Sequence, residues 1–218
     1  MSDQPTLLVA TRSAHKLEEI RAILGDCGAR VVSLDEAEVA QDPAEDAIEA
    51  FDTFAANALA KATWFCERTG LPTVADDSGI VVPALGGRPG VLSRRFAETL
   101  GVTPRESERD VTNTRLLLEQ AAQLEGPQRR AWYACVAALA LPHGEKGRVR
   151  SVRIFVGTCE GELAREPAGS GGFGYDPIFR LPELDATFAQ VDAAVKHRLS
   201  HRARAFRALA SALPAAIR

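Results

Sequence analysis

A chain of 218 residues with 46% hydrophobic and 25% charged side chains can bury a sizeable core, as one large domain or as two small lobes. A formal net charge of -3 speaks against bulk binding to a nucleic-acid polymer or a membrane surface, while leaving room for a local basic pocket. Cys27, Cys66, Cys135 and Cys159 form no CxxC pair, the first residues lack a signal-peptide pattern, and no apolar run reaches the ~18 residues of a membrane span, so a cytoplasmic protein with reduced cysteines is expected.

Thr6–Ala10 reads as a buried strand, and the helical spacing of Leu17, Ile20, Ile23 and Leu24 places a helix directly after it. Val31–Leu34 suggests a second strand, and the acidic stretch that follows, residues 35–50, reads as an exposed, mobile connection. A helix is expected over Thr53–Arg68, closed by Gly70 and Pro72. A short strand over 71–75 then runs into a tight turn at ADDSGI (75–80), followed by a strand at 80–82 and a Gly/Pro-rich loop. The spacing predicts a helix over Ser107–Gln123, with Val111, Leu117 and Leu118 on its apolar side. Two long strands, 131–141 and 148–160, are joined by a turn at Pro142-His143-Gly144, and the chain closes with a helix over Ser200–Leu213.

Four groups carry candidate chemistry. TRSAHK (11–16) sits where a helix begins, so its free N–H groups, with Thr11, Ser13 and Lys16, suit a phosphate; equally, Ser13 caps the helix and Lys16 is solvated. Lys61 falls about 20° from Phe54 around the next helix, with Asn57 bordering the same apolar face, so it either snorkels or meets an anion. Asp76 and Asp77 in one turn repel each other unless a cation lies beside them, and Mg²⁺ is the usual one; Glu49 is a further possible ligand. One carboxylate is then free to deprotonate a water. In GSGGFGYDP (169–177), Gly169, Gly171 and Gly174 formally match a dinucleotide fingerprint, but no helix follows, so Phe173 is read instead as a face for a base, with Asp176 accepting a ring N–H. His197 and His201 are four apart, yet no glutamate follows His197 and Ser200 caps a helix between them, which argues against zinc.

Taken in order, TRSAHK, TFAANALAKA, ADDSGI, LGGRPGVLSRRF, REPAGSGGFGYDPIF and KHRLSHRARA resemble the inosine triphosphate pyrophosphatase family, also called Ham1-like or dITP/XTP pyrophosphatases, along essentially the whole chain. The resemblance implies an elongated, two-lobed α/β fold with a central mixed sheet flanked by helices, a nucleotide cleft between the lobes, and a homodimer. It implies hydrolysis of ITP, dITP and XTP to monophosphate and pyrophosphate with Mg²⁺. It assigns Glu49, Asp76 and Asp77 to the metal, with Asp77 as base, and Lys16 and Lys61, with Thr11, Arg12, Ser13 and Asn57, to the triphosphate. Ser78, Gly79, Phe173, Gly174, Tyr175, Asp176, Lys196, His201 and Arg202 are assigned to the nucleotide's base side, with Arg95 a further contact.

The chain departs from the family pattern at Arg12-Ser13, where Gly-Asn is usual, at Ala56 and at Gln190-Val191. A binder that has lost hydrolysis is the alternative reading favoured by Ser13, and retention of three carboxylates opposes it. A pyrophosphatase of modified pyrimidines is a third, opposed by the Phe173 segment.

Overall fold

The computed structural model describes residues 4–25 and 27–217. In chain order its elements are β1 (Thr6–Val9), α1 (Ala14–Leu24), β2 (Arg30–Ser33), α2 (Phe54–Thr69), β3 (Thr73–Val81), α3 (Phe96–Thr99), α4 (Arg109–Gln120), β4 (Arg130–His143), β5 (Glu145–Leu163), β6 (Phe179–Leu181), β7 (Ala186–Thr187), α5 (Ala193–Leu199) and α6 (His201–Ala216). The strands form one mixed sheet in the order β2-β1-β3-β4-β5-β6-β7. β1 runs parallel to both β2 and β3, which demands crossovers, and α1 and α2 supply them; β5, β6 and β7 pair antiparallel.

The chain divides into two compact units, residues 1–77, 135–157 and 202–218 in one, and residues 78–134 and 158–201 in the other. In the first unit the strand period of two sorts the core. Leu7, Val9, Val74, Cys135, Ala137 and Leu139 pack with Ile20 and Leu24 of α1 and Phe206 and Leu209 of α6. Leu8, Ala10, Ala75, Val136, Ala138 and Ala140 pack with Ala58, Ala62, Phe65 and Cys66 of α2. Both faces are buried here, which is why β4 reads as an unbroken apolar run rather than an alternating one. The second unit has its own core of Ile80, Val82, Phe96, Leu117, Tyr133, Phe179 and Phe188.

Helix ends follow their local chemistry. Ser13 caps α1 by accepting the Lys16 N–H, Thr53 caps α2 by accepting the Ala56 N–H, and Gly70 closes α2 in the left-handed region at φ 71°. Among the described residues no helix is long and apolar enough to cross a membrane. The four cysteines are buried and form no disulfide, and burial pushes the Cys66 thiol up to about 11.

Three expectations are corrected, and three short elements are added. ADDSGI is not a turn: β3 runs through it without a break. The acidic connection is tied down, because Asp42 and Glu45 cap a short helical turn at Pro43–Ala47, and Arg12 and Arg68 hold it from outside. Val111 is 73% exposed, since the buried side of α4 is Asn113, Thr114, Leu116 and Leu117. The short strands β6 and β7 and the helix α5 had no readable period, being two to seven residues long.

Candidate active site

The continuity of β3 decides the fate of its two carboxylates, because successive side chains of a strand leave on opposite faces. Asp76 follows Val74 toward α1 and α6: its Oδ2 lies 3.2 Å from Lys16 Nζ and 3.4 Å from Arg202 Nη2, with Cys135 Sγ at 3.9 Å. Arg202, 2% exposed, also pairs with buried Glu19 of α1. Burial works against ionisation of Asp76, yet Lys16, Arg202 and Lys61 outweigh it and hold the carboxyl far below the usual range. The same bargain raises the Arg202 guanidinium, where burial is overcome by Asp76 and Glu19. The charges are thus buried as a set, the condition under which buried charge is tolerated.

Asp77 follows Ala75 toward α2. Its Oδ2 accepts the Asn57 Nδ2–H at 2.9 Å, and Asn57 also grips the backbone of Phe51 on both sides, accepting its N–H at 2.9 Å and donating to its carbonyl at 3.1 Å. Burial pushes the Asp77 carboxyl above its ordinary value, Lys16 and Asn57 reverse this only in part, and negative Glu49 adds to it. One turn along α2, Lys61 pairs with Glu49 and donates to the Asp76 carbonyl at 3.3 Å. Burial opposes the charge of both partners, and their attraction prevails: Lys61 ends above its usual value, Glu49 below. Lys61 therefore meets an anion rather than snorkelling.

Several expected contacts are otherwise engaged. The Arg12 guanidinium bonds to Glu45 at 2.8 and 3.1 Å, to the Val39 carbonyl at 3.1 Å and to Asp35 at 3.4 Å, so it anchors the acidic segment. Thr11 accepts the Ser13 N–H at 3.2 Å. Among the described residues no group of three or more His, Cys, Asp or Glu side chains is clustered as a metal site. Of the carboxylates expected at the metal, Asp76 and Asp77 leave opposite faces of β3.

The second unit holds the residues expected on the base side, except Arg202, which lies in the first. Asp176, 3% exposed, organises them: its Oδ2 accepts the Phe173 N–H at 2.9 Å and pairs with Lys196, and its Oδ1 lies 3.4 Å from the Tyr133 hydroxyl. Lys196 Nζ sits 4.7 Å from the centre of the half-buried Phe173 ring. His201 stacks on Tyr133, ring centres 4.5 Å apart and 7° from parallel. Gly174, at φ 62°, is held at both ends of its residue by α4, its N–H donating to Asp110 at 2.7 Å and its carbonyl accepting from Thr114 at 3.2 Å. Tyr175 is turned into the core, donating to the Ser93 carbonyl at 2.7 Å, and Arg95 is exposed. Gly79 has a packing reason to be glycine: a Cβ there would stand 2.4 Å from the Gly90 carbonyl oxygen. His197 lies on α5 and His201 on α6.

Sequence reasoning passed over Glu19, Tyr133, Asp110 and Thr114. Glu19 carried a signal, three residues after Lys16 on the same side of α1. Tyr133 carried none, as one aromatic within an apolar strand.

The model of the Ham1 family matches residues 7–212. A dITP/XTP pyrophosphatase of Streptomyces coelicolor is 44% identical over 205 residues, covering 93% of this chain and 94% of that one, and another from Nocardia farcinica is 43% identical over 212 residues, covering 96% and 95%. Among solved structures, a HAM1 protein from Coxiella burnetii superposes with a TM-score of 0.79 at 33% identity, covering 97% of this chain and 100% of the other. A nucleoside-triphosphatase, or dITP/XTP pyrophosphatase, from Mycobacterium abscessus gives 0.67 at 38% identity, covering 96% and 99%. With its family model matched nearly end to end and its sheet and helices shared with solved relatives, this chain belongs to the Ham1 family.

Proposed function

We propose that this protein hydrolyses non-standard purine nucleoside triphosphates, dITP, ITP and XTP, to the monophosphate and pyrophosphate, removing them from the nucleotide pool. Relatives named dITP/XTP pyrophosphatase, at 40–44% identity over nearly their whole length, support the activity. The observation that carries it is Asp77: a buried carboxyl pushed up by burial, steadied by Asn57, with two lysines nearby. A carboxylate kept more basic than usual is suited to take the proton of a water attacking the α-phosphorus.

Lys16 and Lys61 neutralise the triphosphate, and their anchors Asp76 and Glu49 hold them in place before substrate arrives, so little reorganisation is needed as charge develops. Arg202 acts here through Asp76 rather than on the purine. Mg²⁺ fits the donors present, because it commonly takes one or two carboxylates and leaves its other positions to phosphates and water, and Glu49 and Asp77 are two hard carboxylates beside the lysines. When bound, Mg²⁺ supplies further neutralisation of the phosphate oxygens.

The base side follows from chemistry. Phe173 offers a ring for stacking, and Asp176, Lys196 and His201 read the edge; a donor facing the 6-oxo group of hypoxanthine or xanthine disfavours the 6-amino group of adenine, and a site with a mismatched buried donor can discriminate by a factor of about 10⁴. Four cysteines outside any disulfide fit a cytoplasmic setting, and a homodimer is the assembly we expect.

The test is phosphorus NMR of purified protein with Mg²⁺ and ITP, XTP or dATP. Monophosphate and pyrophosphate from ITP and XTP, with little from dATP, are expected. Orthophosphate as the first product would overturn the reading.

A further inference from the structure

Tyr133 meets two of the residues given above to the purine edge. It stands on β4, the 14-residue strand at the middle of the sheet, and is 6% exposed. Its own ring is fixed by two phenylalanines, Phe179 at 4.7 Å and 57° and Phe188 at 6.1 Å and 22°. From that fixed ring two contacts extend: the face lies parallel to His201 at 4.5 Å, and the hydroxyl reaches Asp176 Oδ1 at 3.4 Å. The last torsion of a histidine or an aspartate is broad and roughly two-fold, so neither the imidazole plane nor the carboxylate plane is set by its own backbone. A rigid aromatic in contact with both adds a constraint on each, and on Asp176 it bears on Oδ1 while the Phe173 N–H and Lys196 hold Oδ2.

We infer that Tyr133 is a positioning residue for purine selection, fixing the imidazole plane of His201 and the carboxylate plane of Asp176 together. The inference rests on the base-side reading above. It means that one side chain sets the relative orientation of two edge-reading groups that come from different elements, Asp176 ahead of β6 and His201 at the start of α6. Loss of the hydroxyl removes the contact on Asp176 Oδ1, and loss of the ring also removes the face that lies against the imidazole.

The experiment compares Tyr133→Phe, Tyr133→Leu, Asp176→Asn and the double variant Y133F/D176N, measuring kcat and KM for ITP and ATP alongside the melting temperature. Tyr133→Phe keeps the packed ring, so it is expected to fold as the parent does. Its KM for ITP is expected to rise about fivefold, the worth of one hydrogen bond, with kcat falling less than twofold and the ITP-to-ATP ratio of kcat/KM falling. Tyr133→Leu lowers that ratio further. In the double variant the effect of Tyr133→Phe should largely disappear, because its hydroxyl acts through Asp176.

A KM and a substrate ratio unmoved by Tyr133→Phe, in a protein where Asp176→Asn moves both, would overturn the positioning role and leave the base-side reading intact. If Asp176→Asn moves neither, the base-side reading fails and the inference with it. A change in melting temperature with an unchanged substrate ratio would make Tyr133 a packing residue, which also overturns the proposal.

Discussion

Asp76 and Asp77 are chemically identical and adjacent, and their surroundings drive their ionisation in opposite directions. Asp76 sits against Lys16 and Arg202 and stays charged; Asp77 is pushed up by burial and only partly steadied. Each makes a prediction. Asp77→Asn should lower ITP turnover by about 100-fold or more while affinity for ITP, measured by calorimetry, stays within a few fold; undiminished turnover would remove Asp77 as the base. Asp76→Asn removes the carboxylate between half-buried Lys16 and buried Arg202, leaving Arg202 with Glu19, and should destabilise the metal-free protein at pH 7 by about 3 kcal/mol in urea denaturation. The folded Asp76 titrates below its unfolded value of about 3.9, so its contribution is fully present above that pH and drains away as pH falls toward the folded value. The gap between parent and Asp76→Asn should accordingly narrow below about pH 4, and a gap independent of pH would refute the ion-pair account.

At the scale of elements, β3 is the piece that organises the chemistry, because one uninterrupted strand sends a carboxylate to each face of the sheet. What made it hard to read is its composition: Asp-Asp-Ser-Gly is turn chemistry, and local propensity is overridden where a strand paired with β1 at Thr73–Val74 continues beside β4 in the sheet. Gly79 in the same strand is held to glycine by close approach, since a Cβ would also meet Ser93 Oγ at 2.3 Å. Gly79→Ala is expected to cost about 1–3 kcal/mol through overpacking, seen as a lower urea midpoint with an unchanged slope; an unshifted midpoint would mean the 90–93 segment yields freely. α1 and α2, by contrast, were legible from their apolar period, from Ser13 and Thr53 at their starts, and from Gly70 after α2. Lys61 on the apolar face of α2 was visible as an anomaly, and its partner Glu49 was not separable from the other acids of its segment.

Across the whole molecule, charge accounts for the metal expectation. Glu49, Asp76 and Asp77 face Lys16, Lys61 and Arg202, so these carboxylates are already offset before a substrate with several negative charges arrives. Further cationic charge is then needed when the triphosphate binds. Removing divalent ions with a chelator should abolish ITP hydrolysis, and excess Mg²⁺ should restore it, with little change in melting temperature; full turnover in chelator would exclude Mg²⁺ dependence.

The features that could be read along the chain are those whose physics is local. Hydrophobic period marked α1, α2 and the long strands, capping chemistry marked their ends, and the succession of motifs pointed to the family. The partnerships were beyond such reading. Asp76 meets Arg202 from 126 residues away, His201 meets Tyr133 across intervening strands, and Arg12 leaves the helix start for an acidic segment 33 residues on. No periodicity encodes which distant cation neutralises which carboxylate, because that is settled by which faces the sheet brings together and by the cost of burying a charge without its partner.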